Sequence, residues 1–320
     1  MSTTTLSNLP PPVQQHFNKV LLSPKQPYLI YTLPAMEDML PQHSGNIQRR
    51  RRYDVIPPSI VPLGPSGIAP DPVNVSVTDI DATLEFYGQY VRVTEQVTLI
   101  NEDAVLNQYT LRLGQSMRES QDILARDAML AGASVYNMKF GTNGQIPTNM
   151  TPNDWRNVSR ILLGNSAKTI MTSVDAVMKI GTGPVRNSYM ALGHTDLSVE
   201  FENLVGFRLA SEYPDQSKVL PSEYGSFSYF RYFLAADPIG AVLPQASSTG
   251  QNVYPVMCLG QEAFSITSLE GYNAQIIYRD PLIASTLGLY SELGYKFVDA
   301  PRILYDAWAV KALMSLMFAQ

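Results

Sequence analysis

A stretch from Asn101 to Gly132 that reads as one long amphipathic helix constrains the rest of this chain more than any other feature. Asn101 can cap the first turn with its side-chain oxygen, and Glu102 and Asp103 place negative charge where the helix dipole is positive. Apolar residues recur at Leu106, Tyr109, Leu113, Met117, Leu124 and Ala131, close to the three-four spacing of one buried stripe. Arg118, Asp122 and Arg126 follow one another at helical neighbour spacing and read as a charged outer side. No proline interrupts the run, and Gly132 offers an exit. Such a helix would span more than about 40 Å, the diameter of a small domain. It is a scaffold against which the other elements pack.

What packs against it is short of charge. Of 320 residues, 45% are hydrophobic and only 16% charged, with 18 Tyr and 13 Met, a composition that suits a surface largely covered by partners. The formal net charge of -5 argues against wrapping nucleic acid by counterion release. The single cysteine, Cys258, excludes an intramolecular disulfide and a cysteine-cluster zinc site. The N-terminus shows no signal-peptide pattern, and the longest apolar stretch, Ala307 to Phe318, is too short to span a bilayer and carries Lys311. A soluble intracellular product is expected, with Asn74, Asn149 and Asn157 silent as glycosylation sites.

Residues 1–35 read as an arm, broken early by Pro10, Pro11 and Pro12, with a short helical segment from Val13 to Leu22. Arg49 to Pro70 opens with four arginines and becomes rich in Pro and Gly. Ala82 to Leu99 alternates Leu84, Phe86, Tyr90, Val91, Val93, Val97 and Leu99 with polar residues, and answers the first stretch as the second strand of a long excursion. An isolated hairpin is marginal in water, so this one must lean on a partner. On a strand, Arg49 and Arg51 face one way and Arg50 and Arg52 the other. Such a run is commonly a solvated or ion-paired strand, and no interleaved aromatic platform marks it for nucleic acid.

Thr151-Pro-Asn-Asp begins a second helix with a cap, a first-turn proline and a capping-box acid at Asp154. Trp155, Val158, Ile161 and Leu162 give it an apolar side before Gly164. Ser188 to Gly193 reads as a buried strand and Asp196 to Leu204 as a short helix. Tyr254 to Gly260 and Ala274 to Arg279 read as paired strands around a Leu269-Glu-Gly-Tyr connection.

Catalytic templates fail throughout. His16, His43 and His194 stand each alone in its segment, and Gly193-His194-Thr195-Asp196 has no Gly-x-Ser-x-Gly elbow beside it. A histidine ending a buried strand reads as a hydrogen-bonded structural residue. Lys179-Ile-Gly-Thr-Gly-Pro lacks the Walker spacing and reads as a turn. The carboxylates form neither a glycosidase pair nor a metal cage, so no catalytic residue, cofactor or metal ligand is named.

The order of the segments carries a resemblance. Arg52-Tyr53 to Pro57-Pro58 comes first, then Ala82-Thr83, Tyr87-Gly88-Gln89-Tyr90 and Val93-Thr94-Glu95, then the long helix ending Leu130-Ala-Gly-Ala. Tyr189-Met-Ala-Leu-Gly-His-Thr-Asp, Pro221-Ser-Glu-Tyr-Gly-Ser-Phe, Tyr254-Pro-Val-Met-Cys-Leu-Gly, Leu269-Glu-Gly and Asp306-Ala-Trp-Ala-Val follow. From about Arg50 onward the chain resembles the major capsid proteins of short-tailed phages, with the α+β Hong Kong ninety-seven-like capsid fold. The resemblance implies an N-terminal arm over 1–35 and an extended hairpin loop over 36–100. It also implies a peripheral domain with the spine helix over 101–180 and 251–320, and an axial domain over 181–250. Copies would form the hexamers and pentamers of an icosahedral shell, a virion capsid made in the host cytoplasm. The shell would enclose double-stranded DNA without binding it specifically, could engage scaffold, portal and decoration proteins, and would use no cofactor and no membrane. Arg49, Arg50, Arg51, Arg52 and Tyr53 are the expected intersubunit contacts, the arginines meeting acids of a neighbouring subunit. An encapsulin-like nanocompartment is the alternative within the fold, and a hydrolase built on His194 and Asp196 the remote one.

Overall fold

The structure, a computed structural model, describes residues 27–60, 72–96, 105–173, 185–244, 251–272, 274–280 and 287–316. The first elements are β1 (Met36–Leu40), β2 (Ile47–Tyr53), β3 (Val77–Thr83), β4 (Glu85–Thr94) and the long helix α1 (Val105–Gly132). There follow β5 (Ser134–Lys139), β6 (Thr142–Asn143), α2 (Pro152–Gly164), β7 (Tyr189–His194) and α3 (Ser198–Glu202). The strands that follow are β8 (Arg208–Leu209), β9 (Glu223–Phe227), β10 (Phe230–Ala235), β11 (Val253–Leu259), β12 (Phe264–Leu269), β13 (Gln275–Arg279), β14 (Tyr290–Ile303) and β15 (Ala309–Ser315), with short 3-10 turns between some of them.

Two sheets and a ribbon result. The larger sheet runs β6-β5-β15-β11-β7-β10-β9-β8, the smaller β1-β12-β14-β13 with β4 also on β14, and β2-β3 stand as a pair. The central strands β7, β10 and β11 are buried at every position, which is why their sequences are largely apolar, with Arg231 of β10 and His194 of β7 as the charged or polar exceptions. Alternation sends their side chains into two cores. Tyr189, Ala191, Tyr232, Val256 and Cys258 meet Trp155, Val158 and Leu162 of α2 and Phe201 of α3. Met190, Leu192, Phe233, Met257 and Leu259 meet Ala125 and Met129 of α1, together with Ile30 and Tyr31. Each large side chain so enclosed contributes about 1.5–3 kcal/mol.

Helix α1 joins the two sheets. One side of it lays Leu113, Met117 and Leu124 against Leu293, Tyr295, Phe297, Tyr87 and Val91 of the smaller sheet. Its second half turns Ala125 and Met129 to the larger one. The buried stripe therefore shifts along the helix: Tyr109 and Ala131 are exposed, and Asp122 is fully buried rather than on a charged outer side. Asn101, Glu102 and Asp103 lie outside the described residues, as do the Val13–Leu22 segment and the Lys179 turn. Helix α2 has the expected start, with Thr151 as cap, Pro152 in the first turn and a reciprocal capping box with Asp154.

Two strand pairings differ from the sequence reading. The partner of the arginine strand is β3, in register from Ile47 opposite Thr83 to Tyr53 opposite Val77. The more clearly alternating β4 pairs instead with β14 over ten positions. A strand of Thr, Asp and Val has too few large apolar residues to show itself by periodicity, whereas β4 backs onto α1 and does. Likewise β11 and β13 are not partners: β11 lies between β15 and β7 in the larger sheet, and β13 lies on β14 in the smaller. Sheet membership thus crosses the expected boundary at 250/251, since β11 and β15 share a sheet with β7, β9 and β10.

One buried ion pair crosses from β10 to β9. Arg231 Nε donates to Glu223 Oε1 at 2.6 Å, Arg231 Nη2 donates to Glu223 Oε2, and both side chains are almost wholly buried. Among the described residues no helix is long and apolar enough to cross a membrane, and no group of three or more His, Cys, Asp and Glu could hold a metal ion.

Candidate functional site

The ribbon β2-β3 brings the tetra-arginine run together with acids of its own chain. Alternation on β2 gives two sides, as expected. On the exposed side, Arg49 faces Asp81 and Arg51 faces Asp79 across the ribbon. Arg49 Nε and Nη2 donate to the two oxygens of Asp81 at 2.7 and 2.8 Å, a bidentate fork, and Arg51 Nε donates to Asp79 Oδ1 at 2.9 Å. Hydrogen bonding to Asp81 raises the Arg49 pKa above its ordinary value and lowers that of Asp81; the Asp79 bond raises that of Arg51. These groups are solvated, so the pairs fix geometry more than they stabilise the fold.

The other side of β2 faces the body. Arg50 Nε donates to Asp38 Oδ2 on β1 at 3.0 Å, and Arg50 Nη2 donates to the same oxygen. Arg52 Nη1 donates to the Leu304 carbonyl at 3.2 Å, and its guanidinium lies 4.9 Å over the Tyr305 ring, which stacks on Trp308. Arg50 and Arg52 therefore fasten the ribbon's inner side, while Arg49 and Arg51 remain outward. Tyr53, the last residue of β2, is 64% exposed.

The root of the ribbon is held by apolar contact, Ala82 and Leu84 packing with Leu40, Val298 and Ala300. Beyond it, the described apolar residues Tyr53, Val55, Ile56, Ile60, Val73 and Val75 are all exposed. A cleft of about 430 Å³ separates the ribbon from α1 and β14, lined by Arg52, Asp79 and Asp81 on one side and Ala128, Ala131 and Arg302 on the other.

The sequence reading missed the acids of this site. Their signal is the Asp79-Ile80-Asp81 spacing, which matches the alternation of Arg49 and Arg51 position for position. His194 is buried at the end of β7: its Nδ1 accepts the Asp196 backbone N–H at 3.0 Å and its Nε2 lies 3.3 Å from Asp237 Oδ1. Asp196 in turn accepts the Tyr254 hydroxyl at 2.9 Å. His194 thus caps the turn that follows β7, and both ring nitrogens are engaged in holding structure.

No family model and no curated protein matches the sequence. Solved structures match over nearly the whole length. The capsid of cyanophage P-SCSP1u is 8% identical with a TM-score of 0.67, covering 98% of this chain and 95% of that one. The head of Helicobacter pylori bacteriophage KHP40 is 10% identical with a TM-score of 0.65, covering 98% of each chain. The capsid of Ralstonia phage GP4 is 11% identical with a TM-score of 0.62, covering 100% of each. The chain has the Hong Kong ninety-seven-like fold of phage capsid proteins.

Proposed function

We propose that this chain is a major capsid protein, copies of which close as hexamers and pentamers into an icosahedral shell around phage double-stranded DNA. The observation that carries the reading is the likeness to phage head and capsid chains over 98–100% of this chain and of theirs. The projecting ribbon fits the same reading, since Tyr53, Val55 and Ile56 at its end are exposed among the described residues. Many modest contacts of this kind, made together in a closed shell, add to a stable particle. The mildly acidic chain lets packaged DNA lie against the wall without adhering to it.

In this role Arg49, Arg51 and Tyr53 meet the next subunit. Arg49 and Arg51 keep 57% and 56% of their side-chain surface exposed with Asp81 and Asp79 in place, so each can take a further acid across a boundary. Arg50 and Arg52 set the angle at which the ribbon leaves the body. Scaffold, portal and decoration proteins are the expected further partners. An encapsulin-like compartment would share the fold and has no observation of its own in its favour. Negative-stain electron microscopy of the purified chain, alone and with a scaffold protein from the same genome, tests the proposal. Closed particles with icosahedral outlines are expected; a chain that stays monomeric under both conditions contradicts it.

A further inference from the structure

The smaller sheet has a second face, turned away from α1, and it carries a cleft that the shell reading does not use. Because Leu293, Tyr295 and Phe297 of β14 and Tyr87 and Val91 of β4 point at α1, their strand neighbours point outward. There Gly88 lies opposite Lys296, and Gly294 opposite Tyr90. Neither glycine can carry a side chain. A Cβ on Gly88 would stand 2.8 Å from the Tyr295 carbonyl oxygen, and one on Gly294 would stand 2.8 Å from Tyr90 Cβ and 2.9 Å from the Gln89 carbonyl oxygen. The result is a cleft of about 270 Å³ with a backbone floor, walled by Tyr90 and Ile277.

The rim is cationic. Lys296 sits over the Tyr272 ring at 5.0 Å, and Arg279 stands at the end of β13. Glu292, also on the rim, is committed to Arg92 at 2.8 Å. Among the described residues no acid pairs with Lys296 or Arg279. An apolar slot between Lys296 and Arg279, with Glu292 opposite Arg279 in register but paired with Arg92, fits an apolar side chain with a carboxylate on each side.

The chain's own sequences of that form are already engaged. Its two acid–apolar–acid triplets are Asp79-Ile80-Asp81 and Glu200-Phe201-Glu202. The acids of the first are held by Arg49 and Arg51, and Phe201 of the second is fully buried among Trp155 and Tyr232. We infer that the cleft docks an extended acidic segment of an accessory protein. One apolar side chain rests on the Gly88–Gly294 floor, and flanking carboxylates pair with Lys296 and Arg279.

The test uses the full chain, unassembled and assembled, and a fluorescein-labelled peptide Gly-Asp-Phe-Asp-Gly read by anisotropy. Controls are Gly-Lys-Phe-Lys-Gly and Gly-Asp-Ser-Asp-Gly. The acidic phenylalanine peptide is expected to bind both forms more tightly than either control, and more weakly as salt rises. Lys296→Glu with Arg279→Glu should weaken it roughly tenfold or more, and Tyr90→Ser should weaken it with the salt dependence retained. All three positions are on the exposed face, and circular dichroism checks that the variants stay folded. Equal binding of the three peptides, or no effect of the charge reversal, overturns the inference. So does loss of assembly in the double variant with peptide binding confined to free subunits, since a second copy would then be the occupant.

Discussion

Asp122 shows how local spacing can mislead. Flanked by Arg118 and Arg126 at helical neighbour positions, it has the pattern of a solvated ion-pair ladder, yet it is fully buried. Its two oxygens accept the backbone N–H groups of Ile30 at 3.1 Å and Thr32 at 2.8 Å, tying the segment before β1 to α1. Desolvation outweighs these bonds and raises its pKa above the usual carboxylate value. Only the distant N–H groups distinguish it from a surface acid, and no window of sequence contains both. Replacing Asp122 with Ala leaves both donors without an acceptor, at about 2 kcal/mol. Hydrogen exchange at the Ile30 and Thr32 amides should accelerate relative to Met190 in the central strand; unchanged protection would show that the contact holds nothing. Asp299 is a second acid hidden from sequence. It is 8% exposed, lies opposite Glu85 on β4, accepts Gln121 Nε2 at 2.8 Å and shares a cleft with Arg118. Burial pushes its pKa up to about 6. Between about pH 4 and pH 6 the folded state therefore holds a proton that the unfolded state has lost, and stability falls as pH rises through that window, by up to about 2–3 kcal/mol. Asp299→Asn keeps the acceptor for Gln121 and removes the charge. It should melt higher than wild type at pH 7.5, by a margin that shrinks as pH falls through the window and closes below about pH 3.5, and a constant difference across that range would contradict the assignment.

Among the elements, those with local grammar were readable and those defined by pairing were not. Thr151, Pro152 and Asp154 announce α2, and the unbroken apolar run announces β7, because caps and full burial both leave marks within a few residues. The two-sided character of the arginine strand was readable from alternation alone. Its partner was not, since β3 offers Thr78, Asp79 and Asp81 where a search for apolar alternation looks past them to β4. The buried pair of Arg231 and Glu223 was invisible for the same reason: each is an ordinary charge until β9 and β10 lie side by side. For α1 the scaffold role was readable, and the rotation of its buried stripe was not, because it serves two sheets in turn. Leu113 is its deepest contact with the smaller sheet. Leu113→Asp should cost more than about 3 kcal/mol by burying an unpaired carboxylate, against under about 0.5 kcal/mol for Glu119→Gln on the half-buried side. Urea unfolding of the two variants separates them, and equal midpoints would mean the face is wrongly assigned.

At the scale of the whole molecule, a chain poor in charge and rich in Tyr builds two well-filled cores and then extends a ribbon beyond them. In the proposed shell this ribbon is a contact arm: Arg50 and Arg52 anchor it, the Arg49–Asp81 and Arg51–Asp79 pairs stiffen it, and Tyr53, Val55 and Ile56 beyond them are exposed. In a closed shell each small loss at such an arm is repeated at every copy, so contact variants should fail in assembly before they fail in folding. Arg49→Ala, Arg51→Ala and Tyr53→Ser together remove three exposed side chains that contribute little to the fold of the isolated subunit. Sedimentation velocity of the wild-type chain beside this triple variant, across a range of concentration and salt, tests the proposed role most directly. Wild type should sediment as capsomers or shells that loosen as salt rises, while the variant sediments as folded subunits with an unchanged melting temperature. A wild-type chain that remains a monodisperse monomer, or a triple variant that assembles as wild type does, would contradict the proposal.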